Sequence, residues 1–478
     1  MNATTTLNLF DELLPTAAVV KPRGVDLSFF KPELITKELK MSTMANGVRR
    51  IRLSSNFLPL MGFSPGVRTT VEDLGVNAGM KISFNPEGHT KVYSRTYTQR
   101  RNNPLEAMID IQNQSVIARA IPTDAERLHF TLKNGSILIK PLFNNTFLIR
   151  NNIRKAENKF SSFVAMTGGV DAHCLQASGF TIQSILEYRP QEARDKNDLT
   201  ETGALNALSN VPTTKYVFNE DISKINWQNV KQVIQNDDPI GLLHVSLACD
   251  DFSTSKGVNL KKRSVENLDT SADLVYDALR LVETTQPATV LIENVPPFAS
   301  SAAGDLLRVK LRKWGYYVTD AILDPREQGG LTSRRRYYLV ASVWPGFEMP
   351  EAMAPNASSI WRVIESHLHE CRDITHTSTV HLGVETGRAR VITSSSTCSP
   401  SILKSQARQS KDSVTILSGG RYYLPSEKLL RVLNGFPDDL NLDSVSATLA
   451  SEIIGQSIDY PMHHRLTSKL KEHISRNV

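Results

Sequence analysis

Short apolar runs recur along the chain from about residue 155 onward, and helix-length segments separate them. The clearest runs are KFSSFVAM, FTIQSILE, TKYVFNEDI, IGLLHVSLA, ATVLIENV, YYVTDAIL and RRYYLVASV. This alternation predicts βα units whose strands pair in a mostly parallel sheet with helices packed on its faces, an α/β, Rossmann-like fold. Ligands of such sheets bind at the carboxyl ends of the strands, so functional residues are expected where the apolar runs stop.

Residues 1–150 show a different pattern, in which apolar and polar positions alternate over short segments. The tripeptides SPG and KNG and the tetrapeptide NPEG separate these segments and supply turn-forming residues. The pattern predicts a separate N-terminal β-rich domain. A third region, residues 346–424, is rich in Ser, Thr and Pro and has few long apolar runs.

The length of 478 residues predicts two or three domains. No apolar run is long enough for a membrane span, and the first residues lack the features of a signal peptide, which indicates a cytoplasmic protein. Four scattered cysteines without paired spacing, Cys174, Cys249, Cys371 and Cys398, predict reduced thiols and neither a disulfide framework nor a metal site. A net charge of +6 permits a polyanionic partner without requiring one.

Four potentially reactive residues follow predicted strands: Cys249, Glu293, Glu187 and Asp221. Each alone has an ordinary explanation, because a cysteine after an apolar run is usually a packing residue and a terminal acid is usually a cap. Their joint appearance at the ends of four strands of one predicted sheet favours a common active site.

The motifs around these residues resemble, in their order along the chain, those of the cytosine-C5 DNA methyltransferases over residues of about 158–475. The matching segments are FVAMTGG (163–169) followed by ASGF, Glu187, EDI (220–222), LACDDFS (247–253), DLVYDALRLV, ENV (293–295), GLTSRRRYYLV (330–340), SEKLLRVLNGFPDDL and IIGQSIDYP. The resemblance implies a Rossmann-like, S-adenosylmethionine-dependent methyltransferase domain at 155–345 and 425–478. It also implies a target-recognition region at 346–424 and double-stranded DNA as the partner, with the protein on the nucleoid when bound.

The resemblance also implies roles for individual residues. The catalytic set is Cys249, Glu293, Asn294, Arg334 and Arg336. The set for S-adenosylmethionine is Phe163, stacked near the adenine, Gly168, Gly169, Glu187 on the ribose, Tyr188, Asp221, Ile222 and Ser457. The set for DNA is Ser253, Lys261, Lys262 and Arg263, in a polar loop predicted at 250–270.

The chemistry explains why these residue types are needed. Carbon 5 of cytosine is too weak a nucleophile to take a methyl group directly, whereas a thiolate that adds to carbon 6 moves electron density onto it. An acid must protonate N3 as charge builds there, and Glu293 beside Asn294 fits this role. The base has to leave the DNA duplex to be reached, at a cost of a few kcal/mol.

Several positions depart from the family pattern. Ala248 and Asp250 flank Cys249 where proline and glutamine are usual, and Ala165, Thr167, Thr332 and Gln456 also differ from the expected residues. Two alternatives therefore stay open: a catalytically impaired DNA-binding protein with this fold, and an RNA cytosine-C5 methyltransferase. A cysteine hydrolase and a nicotinamide enzyme fit less well, because no histidine follows a comparable strand and no G-x-G-x-x-G motif is present.

The N-terminal region offers one further candidate DNA contact. The segment RRIRLSSNFLPLMGFSPGVRTTVED weakly resembles the swapped-hairpin and toxin-like bacterial DNA-binding β domains. Arg49, Arg50 and Arg52 are then the predicted DNA-contacting residues. A purely structural or oligomerising role for this domain remains an alternative.

Overall fold

The computed structural model describes residues 32–99, 105–123, 125–142, 145–192, 195–253, 256–355 and 358–478. The chain divides into two compact units, Met1–Asn144 and Asn145–Val478. The sequence has a basic tripeptide, QRR, at 99–101. Part of it and part of the predicted loop at 250–270 lie outside the described residues. In the part of the chain that is described, no helix is both long and apolar enough to span a bilayer.

The first unit is built from antiparallel strands. Its elements are β1 (Leu34–Lys40), β2 (Ser42–Thr43), β3 (Arg49–Ser55), β4 (Arg68–Asp73), β5 (Met80–Phe84), β6 (Thr90–Lys91), β7 (Tyr93–Thr96), β8 (Leu105–Ile111), α1 (Gln114–Ala120), β9 (Arg127–Lys133) and β10 (Ser136–Leu142). The described strands form one sheet of order β1-β9-β10-β5-β4-β6 and another of order β2-β3-β8-β7.

The core of this unit is formed by the apolar positions of the alternating sequence pattern. On β9, Leu128, Phe130 and Leu132 are buried while the residues between them are partly exposed. The KNG turn joins β9 to β10, and Gly135 adopts the positive φ that this tight connection needs. Apolar and polar residues therefore alternate along these strands because one face of the sheet packs on the core and the other does not.

The second unit combines helices with two sheets. Its elements are α2 (Asn145–Lys155), β11 (Ser161–Ala165), α3 (Val170–Ala177), β12 (Thr181–Leu186), α4 (Thr202–Asn210), β13 (Tyr216–Phe218), α5 (Trp227–Ile234), β14 (Leu242–Ser246), α6 (Val258–Glu266), α7 (Leu274–Thr285), β15 (Thr289–Asn294), α8 (Ala302–Lys313), β16 (Tyr317–Leu323), β17 (Arg336–Ser342), α9 (Trp361–His367), β18 (Arg372–Asp373), α10 (Ser378–Glu385), β19 (Arg390–Ile392), β20 (Val414–Ser418), β21 (Arg421–Leu424), α11 (Glu427–Leu433), α12 (Ala447–Gln456) and α13 (Tyr460–Asn477).

The main sheet has the order β13-β12-β11-β14-β15-β17-β16. Strands β11 to β15 are parallel, and β17 runs antiparallel to both of its neighbours. This arrangement confirms the predicted α/β class. The chain leaves β11 towards β12 on one side and returns to β14 on the other, so a crevice opens at the carboxyl ends of β11 and β14, where ligands of such sheets bind.

The apolar runs became strands because both faces of the sheet are covered by helices. Every residue of β11 and of β15 is buried, as expected for central parallel strands. A smaller sheet of order β18-β21-β20-β19 lies within the segment predicted to recognise the target.

Two segments differ from the sequence-based expectation. The composition of 194–213 predicts an exposed helix or loop; the structure has a helix there, α4, but its residues Ala204, Asn206 and Ala207 are buried. The predicted polar loop at 250–270 contains α6. In both cases only a few apolar positions recur at helical spacing, which gives a weak signal in a single sequence.

Candidate active site

The two central candidates meet at one edge of the main sheet. β14 and β15 are adjacent and parallel, and Ser246 at the end of β14 pairs with Glu293 near the end of β15. Cys249, three residues after Ser246, therefore lies at the same edge of the sheet as Glu293. Asn294 donates a hydrogen bond from Nδ2 to the carbonyl of Leu247 at 3.1 Å, which ties the two strand ends together. The Glu293 carboxyl is buried, and Cys249 is half-buried in the loop above it.

The antiparallel strand β17 brings the arginines to the same edge. Because it runs opposite to β15, its first residues face the end of β15, and Arg336 Nε lies 2.7 Å from Glu293 Oε1. Arg334 is buried, and its Nη1 donates to the carbonyl of Ile402 at 2.7 Å. Its Nε is also buried and has no hydrogen-bond partner among the described residues. The structure therefore groups Cys249, Glu293 and both arginines.

Burial and these charges set the protonation states. Burial raises the pKa of the Cys249 thiol, Arg336 and Arg334 lower it, and the carboxyls of Glu293 and Asp250 raise it further. Burial likewise raises the pKa of Glu293, against the effect of the same two arginines. Burial lowers the pKa of Arg334 to about 9, and the positive charge of the neighbouring Arg336 is the second cause of this decrease. Burial thus shifts both the thiol and the carboxyl towards their protonated forms, and the two arginines oppose this shift at each group.

The second acidic residue after the cysteine has a structural role. Asp251 accepts hydrogen bonds from the backbone N–H of Ser271 at 2.7 Å and the hydroxyl of Thr270 at 2.9 Å, and it pairs with Lys256 at 2.6 Å. Although burial alone would raise the pKa of Asp251, these partners lower it to about 2. Asp251 therefore closes the loop that follows Cys249, and Asp250 is the neighbour that opposes thiolate formation.

A tight turn follows β11 at the predicted cofactor site. Met166, Gly168 and Gly169 have φ values of 62°, 62° and 94°, so all residues of the turn 166–169 except Thr167 have a left-handed backbone conformation. Ala165 and Thr167 stand where the family pattern has glycines. Ala165 is still part of β11, and Thr167 uses a hydroxyl that glycine lacks.

Glu187 holds this turn in place from the end of β12. Its Oε1 accepts hydrogen bonds from Thr167 N at 2.6 Å, Thr167 Oγ1 at 2.9 Å and Gly168 N at 3.0 Å. Burial raises the pKa of Glu187 to about 7, although the three hydrogen bonds oppose this. None of the described residues donates a hydrogen bond to Oε2.

The two glycines of the turn should differ in their tolerance of a methyl group. A Cβ on Gly169 would lie 2.8 Å from the backbone of Ala207, whereas no described atom lies within 4 Å of a Cβ on Gly168. We expect Gly169→Ala to lower the free energy of unfolding by about 2–4 kcal/mol through backbone overlap. Gly168→Ala should cost only about 1–2 kcal/mol, from its positive φ. Urea unfolding of both variants measures the difference, and equal losses would contradict it.

Three of the remaining predicted cofactor residues are buried. Phe163 is fully buried, and its ring stacks on that of Phe218 with the centroids 5.9 Å apart; its position near the adenine stays a prediction. Ile222 is also buried. Ser457 is buried as well, and its hydroxyl donates to the carbonyl of Ile454 at 2.9 Å.

Two further cofactor candidates follow strands as predicted. Tyr188 is partly exposed beside Glu187. Asp221 follows β13, and its Oδ1 accepts hydrogen bonds from the backbone and the hydroxyl of Ser223. Of the predicted cofactor set, Gly168, Gly169, Glu187, Tyr188 and Asp221 therefore lie at the carboxyl ends of β11, β12 and β13.

The predicted DNA-contacting residues of this unit lie beyond the cysteine. Lys261, Lys262 and Arg263 belong to α6, and Lys262 and Arg263 are exposed. Lys262 lies 4.0 Å from Glu266 on the same helix. The backbone N–H of Ser253 donates to the carbonyl of Cys249 at 2.8 Å, which places Ser253 in the turn that carries the thiol.

The N-terminal arginines make contacts within their own unit. Arg49 donates to the backbone carbonyls of Ile121 and Pro122, and Arg52 forms a 2.9 Å ion pair with Asp110, which Arg50 approaches to 3.7 Å. These internal contacts account for the basic cluster, and DNA binding by it stays a prediction.

One supporting residue lies in the matching segment IIGQSIDYP, but the motif comparison assigned it no role. Asp459, immediately before α13, accepts a hydrogen bond from Thr332 Oγ1 at 2.8 Å and lies close enough to Arg334 for their charges to interact. Burial raises the pKa of Asp459 to about 6. Its contact with the arginine motif, more than a hundred residues away in the chain, left no local signal.

Comparison with known families bears directly on this group of residues. Residues 207–381 match the family model described as C-5 cytosine-specific DNA methylase. This part of the chain is therefore similar to that family. The match confirms the resemblance inferred from the motifs, and the matched residues include Cys249, Glu293, Arg334 and Arg336. The glycine turn and Ser457 lie outside the matched residues.

Two curated proteins share shorter stretches with the chain. Type II methyltransferase M1.BsuMI of Bacillus subtilis (strain 168) is 35% identical over 74 residues, which cover 15% of this chain and 17% of that protein. Type II methyltransferase M.MspI of Moraxella sp is 25% identical over 134 residues, which cover 27% of this chain and 31% of that protein. The chain thus matches less than a third of the length of either relative.

Solved methyltransferase structures are also similar to the chain. The Entamoeba histolytica methyltransferase EhMeth aligns with a TM-score of 0.49 and 16% identity, over 66% of this chain and 99% of that one. The S. pombe Dnmt2 methyltransferase aligns with a TM-score of 0.49 and 16% identity, over 65% of this chain and 98% of that one. Neither likeness identifies a substrate.

Proposed function

We propose that this protein transfers a methyl group from S-adenosylmethionine to carbon 5 of cytosine in double-stranded DNA. The observation that carries the proposal is the meeting of the Cys249 thiol and the buried Glu293 carboxyl at the ends of two adjacent parallel strands. The match to the methylase family over residues 207–381 supports it. The similarity to Type II methyltransferases favours a role of the restriction-modification kind.

Each group has a definite task in this reaction. The Cys249 thiolate forms a bond to carbon 6, and the Glu293 carboxyl gives its proton to N3, so that carbon 5 becomes nucleophilic. After methylation, a water molecule takes the proton from carbon 5, the electrons of that bond form the 5,6 double bond and expel the Cys249 thiolate, and N3 returns its proton to Glu293. Arg336 holds Glu293 in place, and the buried N–H of Arg334 serves the carbonyl of the base. Asn294 keeps the two strand ends together.

The residues at the ends of β11 to β13 fit the cofactor. The open space beside Gly168 lets another molecule approach the backbone of the turn, and Glu187 Oε2 is available to accept a ribose hydroxyl. Asp221 and Tyr188 flank the same edge. S-adenosylmethionine bound there supplies the methyl group. Gly168→Ala should therefore weaken cofactor binding by at least about tenfold, because its Cβ fills that space, and isothermal titration calorimetry measures this.

The domain assignments follow from the same proposal. Residues 155–345 and 425–478 form the catalytic domain, and 346–424 form the target-recognition region. The N-terminal β-rich region, 1–150, is an additional domain. Lys261, Lys262 and Arg263 on α6 contact phosphates beside the flipped base, and Ser253 follows Cys249 into the same interface.

The direct test is analysis of the product. Purified protein is incubated with S-adenosylmethionine and either double-stranded DNA or RNA of mixed sequence, and the digested nucleosides are analysed by mass spectrometry. We expect 5-methyldeoxycytidine from DNA and unmodified cytidine from RNA. Methylation of RNA alone would move the proposal to the RNA enzyme, and binding of DNA without any product would indicate the catalytically impaired DNA-binding protein.

A further inference from the structure

Three buried polar side chains lie together in the core of the second unit, behind the proposed active site. Asp171 is on α3, His244 is on β14 and His463 is on α13. Their exposed fractions are 2%, 0% and 0%. One ligand-type atom from each residue lies within 4.8 Å of the other two. Neither the sequence motifs nor the proposed reaction uses this group.

The hydrogen bonds around the cluster turn three ligand atoms inward. His244 Nδ1 lies 3.1 Å from the carbonyl of Leu291, which can only accept, so Nδ1 carries a hydrogen and Nε2 faces Asp171 Oδ2 at 2.7 Å. His463 Nδ1 lies 3.2 Å from the hydroxyl of Tyr338. Histidines that bind metals are usually oriented in this way, with the second ring nitrogen held by a carbonyl or another polar partner.

One inward atom is left without a partner. His463 Nε2 is buried and has no hydrogen-bond partner among the described residues. A buried, unpaired ring nitrogen costs free energy unless an ion or a water satisfies it. The imidazoles of His463 and His244 lie side by side, with ring centroids 5.0 Å apart. The unpaired nitrogen is therefore available to a ligand inside the cluster.

The three groups offer the kinds of atom that bind a cation. Asp171 Oδ2 accepts a hydrogen bond from the Ser246 hydroxyl and faces His244 Nε2, so a carboxylate oxygen is directed into the cluster. The Tyr338 hydroxyl lies beside His463 Nδ1, which leaves Nε2 of that ring for a ligand. A metal ion binds such groups in their deprotonated form.

We propose that Asp171, His244 and His463 bind a divalent transition-metal ion, for which Zn²⁺ is the best match. Two imidazole nitrogens and one carboxylate oxygen form a common ligand set for zinc. Ser246, whose hydroxyl lies 2.9 Å from Asp171 Oδ2 and 3.5 Å from His244 Nε2, stands beside the fourth position.

The binding step is balanced and needs only a small movement. Ligand atoms around a metal at about 2.1 Å lie roughly 3.0–3.4 Å apart. Asp171 and His244, now 2.7 Å apart, therefore separate by a few tenths of an ångström, and the ligand atom of His463, now within 4.8 Å of the other two, moves inward. The ion takes the place of the proton shared by these two side chains, and that proton is released to solvent. The ion then links α13 to α3 and to β14, the strand that leads to Cys249, and so acts as a structural centre.

Metal analysis of the full-length protein tests this proposal independently of catalysis. Protein from zinc-supplemented cells is dialysed without chelator and analysed by mass spectrometry for metals, and metal-depleted protein is titrated with Co²⁺. We expect close to one zinc per chain, a visible Co²⁺ spectrum of four-coordinate type and a higher melting temperature in the presence of either metal. The absence of both bound zinc and the Co²⁺ spectrum in wild-type protein would overturn the proposal.

Two variants locate the metal within the molecule. His463→Gln should lose the stoichiometric metal and the Co²⁺ spectrum. His473→Gln should keep both, because His473 is also a buried histidine of α13 but its Nε2 contacts Ser342, outside the cluster. Retention of metal by folded His463→Gln would place the ion elsewhere. If His463→Gln does not fold, the wild-type measurements alone decide whether the ion binds.

Discussion

Replacement of Cys249 by serine should reduce methyl transfer by about 10³-fold or more. A serine hydroxyl is far less acidic than a thiol and adds poorly to a conjugated ring, so the step that activates carbon 5 is lost. DNA binding should stay within a few-fold of wild type, because the substitution removes no charge from the DNA-facing surface. Transfer of labelled methyl groups and a fluorescence-anisotropy binding curve measure the two effects.

A second cysteine provides the control for this substitution. Cys371→Ser changes a half-buried thiol on the segment after α9, away from β14 and β15, and should leave transfer unchanged. Because burial raises the pKa of Cys249, alkylation of that thiol in the wild-type protein should also become faster as the pH rises. A Cys249→Ser protein with more than a tenth of the wild-type rate would contradict the assigned role.

Replacement of Glu293 by glutamine should lower the maximal rate of methyl transfer by about 10²–10⁴-fold. The amide keeps the size of the side chain but has no acidic proton for N3, and its uncharged oxygen pairs less strongly with Arg336, now 2.7 Å from the carboxylate. The affinity for DNA should change little. Steady-state kinetics with saturating DNA separate the rate from the affinity.

The control for this variant uses the same chemical change on the surface. Glu283 is exposed on α7, and Glu283→Gln should leave both the rate and the affinity unchanged. If Glu293→Gln weakened DNA binding but kept the wild-type rate at saturation, Glu293 would be a binding residue only, and the proposed proton transfer to N3 would be wrong.

The fold and the centre of the site could be predicted because their signals are local. The strand β15, TVLIEN, is wholly buried and its centre, VLI, is apolar, so the polar residues Glu293 and Asn294 that follow mark the edge of the sheet. Cys249 and Glu293 were found in this way. The ion pair between Glu293 and Arg336 forms because β17 runs antiparallel to β15. The sequence alone does not state this strand direction.

Other features depended on tertiary contacts. Thr167, where the family pattern has glycine, binds Glu187 through its hydroxyl and its N–H, and Asp251, two residues after Cys249, anchors a loop. Asp171, His244 and His463 are far apart in the sequence, so their cluster left no motif to find. Such contacts between distant segments carry no periodicity that a single sequence reveals.

The formation of a bond between Cys249 and cytosine is tested most directly with DNA that contains 5-fluorocytosine. Fluorine at carbon 5 cannot leave as a proton does, so an enzyme of this mechanism stays attached to the base after methylation. We expect a protein–DNA adduct that survives denaturing electrophoresis, requires S-adenosylmethionine and is absent from Cys249→Ser. Methylation of ordinary cytosine by the wild-type protein without any such adduct would contradict the mechanism.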